Sequence, residues 1–412
     1  MKESNLIKFE FNQIQKVGNA IAITNKLLAL SEAKLIPYRK KEKWGFCTPD
    51  KKIVINCVYD NVEPFREGLS KVLKDNKIGF IDKTGNVIIP LIYNDYGPYG
   101  NGSEFPEGLA VVCKEYKYGY IDKKGNVILN FIYDWASSFS EGLAVVKMND
   151  KFGVINKKGE LVANCIYEQI DDYFPDGFAR VKKFGKYGFL DCNGNEFIPC
   201  DYDWVSEFSE ELVDAGKEKK YGFINKKGDV VIPFIYDYVK PFSEGLAIVK
   251  KEKKYGVINK NGTVIIPFLY DHMQKFQEGL SHAEKDGKCG FIDKEGNTII
   301  GFIYENFRWG NMAGIFCQGL AIVSNNKKLG VINTNGNEII PLIYDNVEQF
   351  SEGLASVTYD YTDCGYLDKE GNEIIPFIYQ SAQSFDNGIA CVKNWENNLG
   401  YINREGIEYW ED

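Results

Sequence analysis

Apolar and polar positions alternate in short blocks along most of this chain. In the stretch 246–271, LAIVKKEKKYGVINKNGTVIIPFLYD, the runs LAIV, YGVI and TVIIPFLY are rich in β-branched and aromatic residues. Polar or glycine-containing segments of four or five residues separate them. Runs of this length and composition, bounded by Asn, Gly and Lys, predict β-strands joined by tight turns. The run ending in Tyr270 carries Pro267, which cannot donate to a ladder. That strand is therefore expected to end, bulge or lie on an edge there, as at Pro90, Pro199, Pro233, Pro341 and Pro376.

The same block recurs. With the glycine of YGVI as anchor, copies fall at Gly45, Gly79, Gly119, Gly153, Gly188, Gly222, Gly256, Gly290, Gly330, Gly365 and Gly400, at steps of 34, 35 or 40 residues. An aligned copy reads approximately FSEGLAVVKxxKYGFIDKKGNVIIPFIYD. Three strands cannot bury both faces alone, so each copy has to pack on its neighbours. Two aromatic columns fit that role. One runs through Tyr59, Tyr93, Tyr133, Tyr167, Tyr202, Tyr236, Tyr270, Tyr304, Tyr344 and Tyr379, the other through Phe65, Phe105, Phe139, Phe174, Phe208, Phe242, Phe276, Phe316, Phe350 and Phe385.

These repeats resemble the WG-repeat family of bacterial proteins, in which Trp-Gly or Tyr-Gly is followed by Ile-Asp-x-x-Gly, Ile-Pro and Tyr-Asp. Only Trp44-Gly45 keeps the literal tryptophan, while Ile78, Cys289, Leu329, Cys364 and Leu399 replace the aromatic. The resemblance covers about residues 33 to 406. It implies an interaction scaffold and supplies no catalytic motif.

The expected fold is all-β: a tandem array of about ten to eleven three-stranded units, stacked openly or superhelically, with a propeller-like closed ring as the alternative. Residues 1–32 read as a degenerate first unit and cap, 33–406 as the array, and 407–412 as a C-terminal cap.

Chemistry is sparse. The turn Asn259-Lys-Asn-Gly262 could suggest a cation or phosphate loop, but its first position is Asp at 82, 122, 191, 293 and 368 and Asn at 156, 225, 259, 333 and 403. Both side chains accept a backbone hydrogen bond two residues on, and glycine adopts the left-handed conformation, so the motif reads as a hairpin turn. Phosphate-loop and nucleophile-elbow motifs are missing, and the chain has two histidines, His272 and His282. No enzyme activity, cofactor or metal is expected. The ten cysteines form no C-x-x-C pair, and Cys57, Cys165 and Cys200 occupy a slot filled elsewhere by Leu or Phe, which marks them as small apolar side chains.

A net charge of −9 and a pI near 5.2 argue against nucleic acid. Neither a secretory signal nor a membrane-spanning run is evident, so a cytoplasmic protein is expected. A secreted chain that had lost its signal would read the same.

Two features are candidates for binding. The third position of the strand after the Glu-Gly corner varies through Lys71, Val111, Val145, Arg180, Asp214, Ile248, His282, Ile322, Ser356 and Cys391. Alternation along a strand makes this column solvent-facing, with Arg180, Asp214 and His282 as its chemical centre. Second, the linker from the recurring Tyr to the Glu-Gly corner gains six residues twice, between Tyr93 and Gly108 and between Tyr304 and Gly319. These loops contain Tyr96, Tyr99, Arg308 and Trp309, residue types favoured as interface anchors. Together they point to a scaffold that binds another protein, with a small-molecule or glycan receptor as the alternative.

Overall fold

A computed structural model describes residues 34–94, 105–171, 177–305 and 314–411. The chain divides into two units, one running to Phe139 and including Tyr409–Asp412, the other spanning Ser140–Glu408. Both are built from the predicted repeat.

One repeat of Ser140–Glu408 shows the pattern. Leu246–Lys251, Lys254–Asn259 and Val264–Tyr270 form an antiparallel meander, as the sequence predicts. The structure adds a fourth strand, the two-residue Tyr238–Val239, which pairs with the inner strand Leu246–Lys251. This edge strand is too short to show as a hydrophobic run. Its second residue nevertheless fills the core, as Val205, Val239 and Met273 do.

The proline strand bulges. Val257 pairs with Ile266 and Tyr255 with Tyr270, so three residues on the middle strand oppose five on the outer one. Pro267 lies exposed in that bulge. The bulged backbone crosses directly over the anchor glycine: a Cβ on Gly256 would lie 2.8 Å from the Ile266 carbonyl oxygen, and one on Gly222 only 2.4 Å from that of Ile232. The recurring Tyr-Gly therefore records a close backbone approach.

The turn reading of Asn259-Lys-Asn-Gly262 holds. Asn259 Oδ1 accepts from the backbone N–H of Asn261 and Thr263, each at 3.0 Å, and Gly262 stands at φ +78°. At the five aspartate copies, the same carboxylate bonds hold the acid below its usual range, although partial burial at Asp82, Asp191, Asp293 and Asp368 opposes them.

Each core belongs to two successive repeats. Phe223, Ile232 and Tyr236 of one repeat cluster with Val239, Phe242, Ala247, Val249 and Ile258 of the next. Tyr236 also faces Phe268 with ring centroids 6.4 Å apart. Both aromatic columns are thus packing columns, with no described member exposed.

Successive repeats are also stapled electrostatically. The aspartate after the recurring Tyr receives the lysine that opens the middle strand of its own repeat and a backbone N–H from the next repeat's turn. For Asp237 these are Lys220 Nζ at 2.6 Å and Glu252 N at 2.9 Å. The glutamate of the Glu-Gly corner reaches forward in the same way: Glu244 accepts from Gly279 N at 3.1 Å and pairs with Lys294 at 3.0 Å.

In the first unit, Ile36–Lys40, Lys43–Cys47 and Ile53–Tyr59 form the first described sheet. The edge position is taken by the tail strand Trp410–Glu411, which runs parallel to Ile36–Lys40, pairing Arg39 with Trp410. At the first expanded linker, Asn94 pairs directly with Cys113 and no two-residue strand intervenes among the described residues. At the second, in the other unit, Glu305 bridges Ser324 in the same manner. All ten cysteines are free, and burial pushes the Cys57, Cys165 and Cys200 thiols up. Among the described residues no helix is long and apolar enough to cross a membrane.

Candidate functional site

The variable third position of the inner strand is not a solvent-facing column. Val111, Val145, Asp214, Ile248 and Ser356 are buried, and Lys71, Arg180, His282, Ile322 and Cys391 are partly buried; none is exposed. The inner strand has a repeat packed on either face, so alternation along it separates two buried environments instead of core from water.

The three sequence candidates in that column, all within Ser140–Glu408, have separate partners. The Arg180 guanidinium donates to Asp171 Oδ1 at 3.1 Å and to the Val205 carbonyl of the next repeat at 3.0 Å, joining two repeats. Asp214 is 1% exposed; one carboxylate oxygen accepts from Ser206 Oγ, and the other has no hydrogen-bond partner among the described residues. His282 packs its ring on Phe291 with centroids 5.5 Å apart, and its buried Nδ1 has no partner among the described residues. Tyr96, Tyr99, Arg308 and Trp309 lie outside the described residues.

Sequence reasoning missed the row that faces this column. Four residues after each recurring Tyr stands a polar side chain: Asp171, Ser206, Lys240, Gln274, Glu348 and Gln383 in Ser140–Glu408. Its backbone N–H donates to the carbonyl of the variable position, as Gln274 does to His282 at 2.9 Å and Lys240 to Ile248 at 2.8 Å. At the second expanded linker Gly314 takes this place, donating to the Ile322 carbonyl at 2.9 Å. The signal was available as a position that is polar in each of these copies although the slot before it is apolar.

Burial dominates the chemistry where this row meets the variable column. It pushes the Asp214 carboxyl up to about 6, against the pull of the Ser206 hydrogen bond. Between the usual value near 3.8 and about 6 the folded chain binds the extra proton, so Asp214 costs stability as pH rises through that window. Asp214→Asn is therefore expected to be more stable than the parent at neutral pH by about 2–3 kcal/mol, with the difference closing below pH 4. Urea unfolding at both pH values measures it; an equal gap at both would exclude ionisation as its cause.

A second surface was also missed. Outer strands end every sheet of Ser140–Glu408 but the last, and except at Asp201 they expose an apolar residue before the recurring Tyr: Ile166, Ile235, Leu269, Ile303, Ile343 and Ile378. Val230, Val231, Val264, Ile265, Ile299 and Ile374 on the same strands are exposed as well. Neighbouring outer strands touch, since Tyr236 faces Phe268 and Tyr270 faces Phe302. The exposed side chains thus recur at equivalent positions of consecutive, contacting strands. From sequence, a strand apolar on both faces reads as fully buried.

The profile of the family described as "WG containing repeat" matches ten consecutive stretches, from 44–77 to 365–397. No curated protein matches. Among solved structures, a eukaryotic initiation factor is 13% identical with a TM-score of 0.42, over 81% of this chain and 92% of that one. BamB from Moraxella catarrhalis is 9% identical with a TM-score of 0.29, over 67% and 97%. Kluyveromyces lactis Hsv2p is 10% identical with a TM-score of 0.31, over 66% and 93%. Likeness at this level carries no functional inference.

Proposed function

The chain belongs to the WG-repeat family, and from that premise we propose that it is a non-enzymatic scaffold that binds another protein through the outer strands of Ser140–Glu408. The observation that supports this reading is the recurring exposure of large aliphatic side chains, reaching 49% at Ile235, 51% at Leu269 and 61% at Ile303. Soluble proteins rarely leave extended apolar patches uncovered without a binding role. Each outer strand is bulged and most carry the proline, which blunts its edge against strand addition. Recognition then proceeds by burial of side chains and not by extension of a sheet. The expanded loops bearing Tyr96, Tyr99, Arg308 and Trp309 supply further anchors, and the working compartment is the cytoplasm.

The test is recovery of partners from lysate by the parent chain and by Ile235→Ser/Leu269→Ser/Ile303→Ser. Exposed substitutions of this kind change stability by only about 0.5 kcal/mol each. The variant is expected to lose the specific partner while keeping its melting temperature within a few degrees. Equal recovery by both proteins would reject the outer strands as the binding surface, and a loss confined to Arg308→Ala/Trp309→Ala would transfer the role to the loop.

A further inference from the structure

Both histidines of the chain, His272 and His282, lie in one repeat, and both act electrostatically with Lys240 of the repeat before it. Lys240 is partly buried, and its ammonium donates to Gln274 Oε1 at 2.7 Å across the repeat boundary. Gln274 in turn is fixed to the His282 carbonyl through its backbone N–H. The three residues thus occupy adjoining positions where the polar row meets the variable column.

Their surroundings are rich in cations. Burial lowers Lys240 to about 8, with Lys275 adding to the effect. Burial likewise lowers His282 to about 4, assisted by His272 and Lys240, while His272 is lowered by burial and then by Lys240 and Lys250. Of the acids packed nearby, Glu284 stands across the strand pair from His272, and Asp271 is engaged by Lys254 and the Asp286 backbone. Neither is among the groups that shift Lys240 or His282.

The second expanded linker returns to the fold at this place. Gly314 lies so close to His282 that a Cβ there would stand 2.6 Å from the imidazole Cδ2. With φ at +82° and its N–H on Ile322, Gly314 brings the loop's return point against the imidazole without adding a side chain.

We propose that Lys240, Gln274 and His282 form a binding site for a small oxyanion, a carboxylate or a phosphate. An ammonium carries three donors, and Gln274 accepts one of them, leaving two for an anion. His282 Nδ1 has no described partner and in the Nδ1–H tautomer supplies another donor. An anion here would offset the repulsion between Lys240 and Lys275 and the cost of holding Lys240 charged while partly buried. This site is on the inner row and is independent of the outer strands proposed to bind protein.

Succinate and inorganic phosphate titrated separately into the full chain at neutral pH test the proposal, followed by calorimetry and by the two histidine Cε1–H resonances. Saturable binding of at least one anion that moves the His282 resonance is expected, with His272→Phe providing the assignment. Losing a charge-assisted hydrogen bond costs about tenfold or more in affinity, so Lys240→Gln should weaken binding by that factor while Lys220→Gln, at an outer ion pair, leaves it unchanged. Saturation by succinate alone would mark a carboxylate site, and by phosphate alone a phosphate site. The proposal is overturned if neither anion saturates, if both histidine resonances stay fixed, or if Lys240→Gln binds like the parent.

Discussion

Gly222→Ala is expected to destabilise Ser140–Glu408 by about 3 kcal/mol or more, an unusual cost for adding one methyl group. The added Cβ would lie 2.4 Å from the Ile232 carbonyl oxygen and 2.7 Å from the Pro233 carbonyl carbon and oxygen. All of these are backbone atoms held in the bulge, so no side chain can move aside. Gly245→Ala is the matched comparison. It stands at φ +83°, and a methyl group there would meet no atom within 4 Å, so only the left-handed backbone penalty applies, about 1–2 kcal/mol. Urea midpoints of the two variants separate steric crossing from backbone conformation. Equal shifts would mean that the outer strand retreats from Gly222 at little cost.

Tyr236→Ala should cost about 3–5 kcal/mol, as truncation of a large buried aromatic does. Its side chain closes the core between two repeats, among Phe223, Ile232, Val239 and Phe242, and stacks on Phe268. Because that core is shared, the loss should appear as reduced cooperativity between neighbouring repeats as well as a lower midpoint. Hydrogen exchange is expected to quicken in both Val230–Tyr236 and Leu246–Lys251. Acceleration confined to the first strand, with an unchanged midpoint, would show that the tyrosine is not part of the inter-repeat core.

Constraints that are local were legible in the chain's own copies. Asn259 and Gly262 could be read as turn formers because Asp and Asn alternate there while the glycine persists, and the hydrogen bonds to Asn261 and Thr263 bear this out. Pro267 could be read as a bulge or edge because its missing N–H is a property of the residue itself. The tyrosine and phenylalanine columns could be read as core because one large side chain recurs without exception. The Tyr-Asp aspartate was equally visible as a recurrence. Its role as a staple was not, since Glu252 N comes from a different repeat.

Arg180, Asp214 and His282 were not legible in this way. Their variability resembled that of a solvent-exposed face, whereas the variation reflects pairwise accommodation inside the stack: Arg180 with Asp171, Asp214 with Ser206, His282 against Gly314. Lys240 and Gln274, which complete that row, carried no recognised motif. The outer strands were the converse case, for VIIPFIY is apolar on both faces and its exposed half cannot be told from its buried half by composition.

The sequence by itself determined the repeat, its all-β strands, the turns between them and the residues that fill the shared cores, because backbone conformation and side-chain volume are set locally and recur with the unit. Only the tertiary structure decided which face of each strand meets water, which side chains join across repeats, and that Trp410–Glu411 completes the sheet of Ile36–Lys40. Burial and pairing depend on what lies above and beside a strand, and those neighbours come from elsewhere in the chain.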